Sequence, residues 1–282
     1  MLQMKKIVCI LLVFIGLPCV VNGQTYRLMT YNIRYDNPAD GENQWSKRKE
    51  FLCNQIAFYT PDVFGIQEGL SHQLAYIDST FVDYKYVGVG RDDGYQKGEF
   101  SAVFYNAKKL QVLNQGTFWL SKTPNIVSVG WDAAMERICT YALLKDNTTN
   151  QKFWVFNTHF DHIGNEARIQ SAKLIENKIR EINTSKHAVF VMGDFNLEPE
   201  SEPIQYLSKI FNDAKAVSLA KPFGPQGTFN GFKHNEPVTA RIDYIFTSKE
   251  KIKVSKFSIL SDSKDCKYPS DHLAVFVEAI VQ

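Results

Sequence analysis

Short runs rich in Val, Ile, Phe and Tyr recur along this chain and keep ending in a carboxylate, an amide or an imidazole. The runs are Tyr26 to Ile33, Val63 to Gln67, Lys85 to Val89, Ser101 to Tyr105, Arg137 to Leu144, Phe153 to Thr158, Ala188 to Gly193, Ile242 to Thr247 and Leu273 to Val281. Their composition suits β-strands. Six endings stand out: Asn32, Gln67-Glu68, Asn157-Thr158-His159, Asp194-Phe195-Asn196, Asp243, and Asp271-His272. Polar groups next to buried strands cost free energy unless hydrogen-bonded or bound to metal. The pattern therefore implies one site, gathered where strands of a rigid scaffold give way to loops.

Helical patterns lie between the runs, over Trp45 to Tyr59, Ser71 to Ser79 and Glu166 to Ile182. In the last, Ala172, Ile175, Ile179 and Ile182 form an apolar stripe at helical spacing. Strands with helices interposed indicate a layered α/β architecture in which helices cover sheet faces. No repeat, low-complexity tract or Gly/Ser linker asks for a domain boundary, so residues 24–282 read as one domain.

Residues 1–23 read as an export leader. Lys5 and Lys6 precede the apolar run from Ile7 to Val21, and a small-residue exit at Gly23 follows. The run is too short to favour a spanning helix, which needs about 20 apolar residues. Pro18 before Cys19 makes a poor lipobox, so free export to a secreted or periplasmic location ranks above lipid anchoring. With the leader removed, 30 of the 32 basic residues face 30 acidic ones, and the mature formal charge is zero. No basic block marks a polyanion-binding surface, which argues against tight nonspecific binding to DNA and leaves nucleic acid among the candidate substrates. Cys53, Cys139 and Cys266 remain, an odd number without paired spacing, and the first two fall in core patterns.

The site residues are mainly oxygen donors, which suit a hard cation such as Mg²⁺ or Mn²⁺. Zinc would draw on thiols or clustered imidazoles, and no second pair joins His159 and His162. Taken singly, each residue has an ordinary structural explanation: a turn at Asn32, an Asx turn at Asp194, an ion pair around Asp243, a cap at Ser270 to His272. Arg91, Asp92 and Asp93 read as a solvated turn, and Ser121 to Gly130 as a segment able to cover the site.

The set YNIRY, QEG, Gly98-Glu99, MERICTY, NTHFDH, MGDFN, RIDYIF and SDH resembles the endonuclease/exonuclease/phosphatase superfamily, from about Tyr26 to Val281. The resemblance implies a four-layered α/β/β/α sandwich with the active site at one edge. It implies Asn32 and Glu68 at a Mg²⁺ or Mn²⁺ ion, with Asp271 close by. Asp194 would orient or deprotonate the attacking water, and Asn196 would donate to a nonbridging phosphate oxygen. His272, held in tautomer by Asp243, would stabilise the transition state. His159 paired with Glu99 would be a second catalytic histidine, and Arg137 would bind phosphate.

Such a set serves hydrolysis of a phosphodiester or phosphomonoester, because a negatively charged ester needs a cation and donors where charge builds. Met192 before Gly193 departs from inositide phosphatases, and Gln67-Glu68-Gly69 departs from abasic-site endonucleases. The expectation is a secreted, monomeric, metal-dependent phosphoesterase acting on a phosphorylated substrate. The alternatives are a phospholipase C or sphingomyelinase-type hydrolase, with Phe223 to Phe232 as its candidate membrane hairpin, and a non-catalytic binding protein on the same fold.

Overall fold

A computed structural model describes residues 23–282. The proposed leader, apart from Gly23, lies outside the described residues. Twelve strands and five α-helices are found among those described. In chain order the strands are β1 (Gln24–Asn32), β2 (Val63–Gln67), β3 (Tyr84–Val87), β4 (Val103–Asn106), β5 (Leu110–Trp119), β6 (Ile138–Asp146), β7 (Lys152–His159), β8 (Ala188–Asp194), β9 (Phe211–Asp213), β10 (Asp243–Ser248), β11 (Ile252–Ile259) and β12 (Val275–Val281). The helices are α1 (Trp45–Tyr59), α2 (Ser71–Thr80), α3 (Asn165–Ile182), α4 (Glu202–Ile210) and α5 (Ala214–Val217). No described helix is long and apolar enough to cross a membrane.

The strands form two six-stranded sheets, ordered β11-β12-β1-β2-β4-β3 and β5-β6-β7-β8-β10-β9. Each is antiparallel except for one parallel pair, β1 with β2 and β7 with β8. The period of two along each strand sorts residues to the two faces. Leu28, Val63, Phe153, Val155, Phe190, Met192, Ile245 and Val275 fill the core between the sheets. Their neighbours Met29, Tyr31, Phe64 and Ile66 pack under α1 and α2. Trp154, Phe156, Val191 and Tyr244 pack under α3 and α4. Helix, sheet, sheet and helix thus make the four layers expected from the resemblance.

Sequence reading passed over β5, β9, β11, α4 and α5. β5 lies at a sheet edge and half of it faces outward, so its run Leu110–Trp119 carries too many polar residues to stand out. β11 is also an edge strand, with a register shift between Val254 and Lys256 that breaks its alternation. Cys53 and Cys139 are buried free thiols, in α1 and β6 as expected.

A candidate active site between the sheets

The same alternation builds the site. In β1 the inward series Tyr26, Leu28, Thr30 ends at Asn32; in β8 Ala188, Phe190, Met192 ends at Asp194; in β7 Phe153, Val155, Asn157 ends at His159. Asp243 opens the inward series of β10. All four therefore point between the sheets at their shared end, and the register sets His159 beside Asp194 and Asp194 beside Asp243. Beneath them an inter-sheet network seals the core. Gln67 Nε2 donates to Asn157 Oδ1 at 2.7 Å, and Asn157 Nδ2 donates to the Ile66 and Ala102 carbonyls. Gly65 makes room for it, since a Cβ there would lie 2.6 Å from the Asn157 amide.

Asp194 is the hub. Its Oδ2 accepts from Asn32 Nδ2 at 2.9 Å and its Oδ1 from the Asn196 amide at 2.8 Å. Asn196 takes a left-handed φ of 52°, so the Asx turn and the functional placement are one geometry. The two imidazoles approach the same oxygen, His159 Nε2 at 3.6 Å and His272 Nε2 at 3.7 Å. Burial and the like charge of Asp243 push the Asp194 carboxyl up to about 7, against the pull of His272 and the Asn32 hydrogen bond.

The histidines differ in charge. Burial opposes the imidazolium of His272, yet Asp243, Asp194 and Asp271 outweigh it and hold this group well above the ordinary histidine range. Burial, reinforced by the Arg137 and Arg91 cations, holds His159 well below that range. Hydrogen bonds agree. Asn196 Nδ2 donates to the Phe160 carbonyl and to His159 Nε2, each at 3.0 Å, which leaves the His159 proton on Nδ1. Both amide hydrogens of Asn196 are thereby engaged within the protein, rather than free for a phosphate oxygen.

Two expectations about the far wall need correction. Glu99 Oε2 lies 3.9 Å from His159 Nδ1, too long for a hydrogen bond. Glu99 instead takes a fork from Arg91, Nη1 at 2.7 Å and Nη2 at 2.9 Å. A buried carboxylate prefers this bidentate charged partner to a neutral ring. Arg91 is accordingly no solvated turn residue; it lines the pocket, and the Trp119 indole holds its carbonyl at 2.8 Å. The signal available was its place two residues past the apolar run that ends at Val89, close behind a strand as the other site residues are. Arg137 is buried beside it, with Nε held by Asp161 Oδ1 at 3.4 Å.

Glu68, also left-handed at φ 63°, and the largely buried Asp271 face the same pocket of about 490 Å³. Glu68 Oε1 accepts from Asn32 Nδ2 and Oε2 from the Tyr35 amide. Asn32 turns its nitrogen toward the carboxylates, while its oxygen accepts from the Arg34 amide. The direct oxygen ligands on offer are thus Glu68 and Asp271. Burial raises the Asp271 carboxyl, Glu68 adding to the effect, and its nearest cation, Arg34 Nε, stays 3.8 Å away. Two carboxylates lining one pocket are the donor type that a hard divalent cation takes. Ligand atoms of Asp194, Asp243 and His272 also lie within 4.8 Å of one another. There, however, His272 Nδ1 is already bonded to Asp243, which fits proton transfer better than coordination.

The model of the endonuclease/exonuclease/phosphatase family matches residues 29–272. The chain belongs to this family. Its members are hydrolases acting on phosphoester bonds. A solved endonuclease/exonuclease/phosphatase family protein from Bacteroides thetaiotaomicron is 34% identical, with a TM-score of 0.89 over 92% of this chain and 99% of that one. A mannosyl-6-phosphatase from the same organism is 35% identical, with a TM-score of 0.87 over 90% and 99%. A probable RNA exonuclease of Saccharomyces cerevisiae is 30% identical over 65% of this chain, a match that spans 40% of the yeast protein. Every motif named above falls within the region matched by the family model.

Proposed function

We propose that this family member is a secreted, monomeric phosphoesterase that depends on a divalent metal and hydrolyses a small phosphorylated substrate, a sugar phosphomonoester by preference. The observation that carries the reading is the meeting of one carboxylate oxygen, Asp194 Oδ2, with two imidazoles, His159 Nε2 at 3.6 Å and His272 Nε2 at 3.7 Å. A water against that oxygen finds a base whose proton affinity lies near neutrality, where general base catalysis is most effective. The water oxygen attacks phosphorus, its proton passes to Asp194, and the ester P–O bond breaks, the departing alkoxide leaving as the alcohol with a proton taken from solvent water. His272, cationic through Asp243, supplies Nε2–H to the oxygens on which charge accumulates. His159 accepts from Asn196 and so holds that amide at the reaction centre.

Glu68 and Asp271 would hold the ion, with Mg²⁺ or Mn²⁺ as candidates, and when bound it supplies Lewis-acid neutralisation of phosphoryl and leaving oxygens. The substrate class is supported by the relative named mannosyl-6-phosphatase, matched over nearly its whole length, and by a pocket of about 490 Å³ walled by Arg91 and Arg137. The deciding experiment is a hydrolysis panel of hexose 6-phosphate, phenyl phosphate, bis-p-nitrophenyl phosphate and RNA with Mg²⁺ or Mn²⁺. Turnover is expected on the monoesters, lost with EDTA and in Asp194→Ala. An inert wild type across the panel would favour a binding protein instead.

A further inference from the structure

His162 has no part in the machinery just described, yet its environment is built. Its Nδ1 lies 3.0 Å from Arg137 Nη2. A guanidinium has donors only, so Nδ1 is the acceptor and the ring proton sits on Nε2. A proton on Nδ1 would confront the Arg137 N–H. Arg137 is 5% exposed, and Asp161 Oδ1 fixes it. Asp161 also accepts from the amides of Ala134 at 3.1 Å, Ile163 at 3.0 Å and Gly164 at 2.7 Å. Just beyond, Asp132 takes the Glu166 and Ala167 amides at the start of α3. The backbone on both sides of His162 is therefore held.

The His162 side chain is 47% exposed at the rim of the catalytic pocket, and Nε2 has no protein partner among the described residues. The result is a fixed, uncharged donor with one unspent hydrogen. The phosphoryl group already meets cations at His272 and the arginines, so a neutral donor farther out matches a neutral acceptor. We infer that His162 is a specificity-determining residue that donates Nε2–H to a hydroxyl oxygen of the alcohol portion, which makes the substrate class a polyol monophosphate. The inference rests on the phosphoesterase reading.

Steady-state hydrolysis of hexose 6-phosphate and of phenyl phosphate, which lacks hydroxyls, tests it in the full protein with Mg²⁺. His162→Asn keeps an acceptor for Arg137 and deletes the outer donor, whereas His162→Gln extends an amide toward the Nε2 position. His162→Asn should lower kcat/KM on hexose 6-phosphate about tenfold, chiefly through KM, the scale of one lost hydrogen bond. Phenyl phosphate should change less than about twofold, and His162→Gln should recover part of the loss. Nitrogen-15 NMR of histidine-labelled protein should show Nδ1 bare and Nε2 protonated. Equal losses on both esters, no loss on either, a wild type that cleaves phenyl phosphate alone, or a proton on Nδ1 would each overturn the inference. A wild type inert to both monoesters overturns it too, and bis-p-nitrophenyl phosphate in the same assay then shows whether the phosphoesterase reading survives.

Discussion

Asp243 Oδ2 lies 2.9 Å from His272 Nδ1, and both side chains are almost wholly buried. The carboxylate fixes the tautomer and supplies the largest single influence that keeps this buried ring charged. Asp243→Asn preserves shape and removes that charge. Its kcat should fall by about 10²–10⁴-fold, the range for displaced acid–base groups. The alkaline limb of its pH profile should move to lower pH, because His272 then loses its proton sooner. Steady-state rates from pH 5 to 10 on both proteins check this; coincident limbs would detach Asp243 from the chemistry.

Asp194 gives the opposite limb. As a base it must be ionised, so kcat/KM should climb through a pH of about 7 and then level. The linkage sign follows from the same displacement. The folded carboxyl is pushed up from 3.8 to about 7, so the folded state binds a proton that the unfolded chain releases across that window. Its contribution to stability is full below pH 3.8 and disappears as pH rises through about 7. EDTA-treated wild type should thus lose Tm between pH 5 and 8, and Asp194→Asn should lose less. Equal slopes would assign the loss to other groups.

Much of this site is written in strand periodicity. Asn32, His159 and Asp194 each extend an inward series by one more step of two, apolar apart from Thr30 and Asn157, so their convergence is legible once the strands are recognised. What the sequence leaves open is pairing across loops. Glu99 has two basic neighbours within reach, His159 and Arg91, and only the path of the 90–99 loop selects the arginine fork. The direction of an amide is equally hidden. That Asn196 spends both hydrogens inside the protein depends on where the Phe160 carbonyl falls, 36 residues away in sequence. Edge strands such as β5 escape for another reason, since only half their residues face a core.

Arg91 and Glu99 give a stability prediction. Burial raises the Glu99 carboxyl, and Arg91 is the first cation that counters it. Arg91→Ala leaves a largely buried carboxylate without its fork, at a cost of about 1–3 kcal/mol. Arg91→Ala with Glu99→Gln should recover a large share, because the stranded charge is gone. Thermal melts of the single and double variants decide, and a double variant no more stable than Arg91→Ala would mean that the arginine acts through packing.

Gly193 is where fold and chemistry share one atom. It sits opposite Thr158 in the parallel β7–β8 pair, one step before the register sets His159 beside Asp194. Its φ of 147° is one that side chains rarely adopt, and a Cβ there would lie 2.0 Å from the Thr158 carbonyl oxygen. That oxygen belongs to a rigid sheet and cannot swing aside as a flexible side-chain tip can. Gly193→Ala must therefore spread β7 from β8 at the point that sets the distance from His159 to Asp194. Loss of Tm together with a kcat loss of about 10²-fold or more is expected, the scale for an ångström-sized misplacement of reacting groups. Gly41→Ala is the control, since Gly41 also has positive φ, 55°, but no atom within 4 Å of an added Cβ. It should cost about 1 kcal/mol in stability and leave turnover alone. A Gly193→Ala protein with wild-type Tm and kcat would show that the close β7–β8 approach is not what holds the two catalytic groups together.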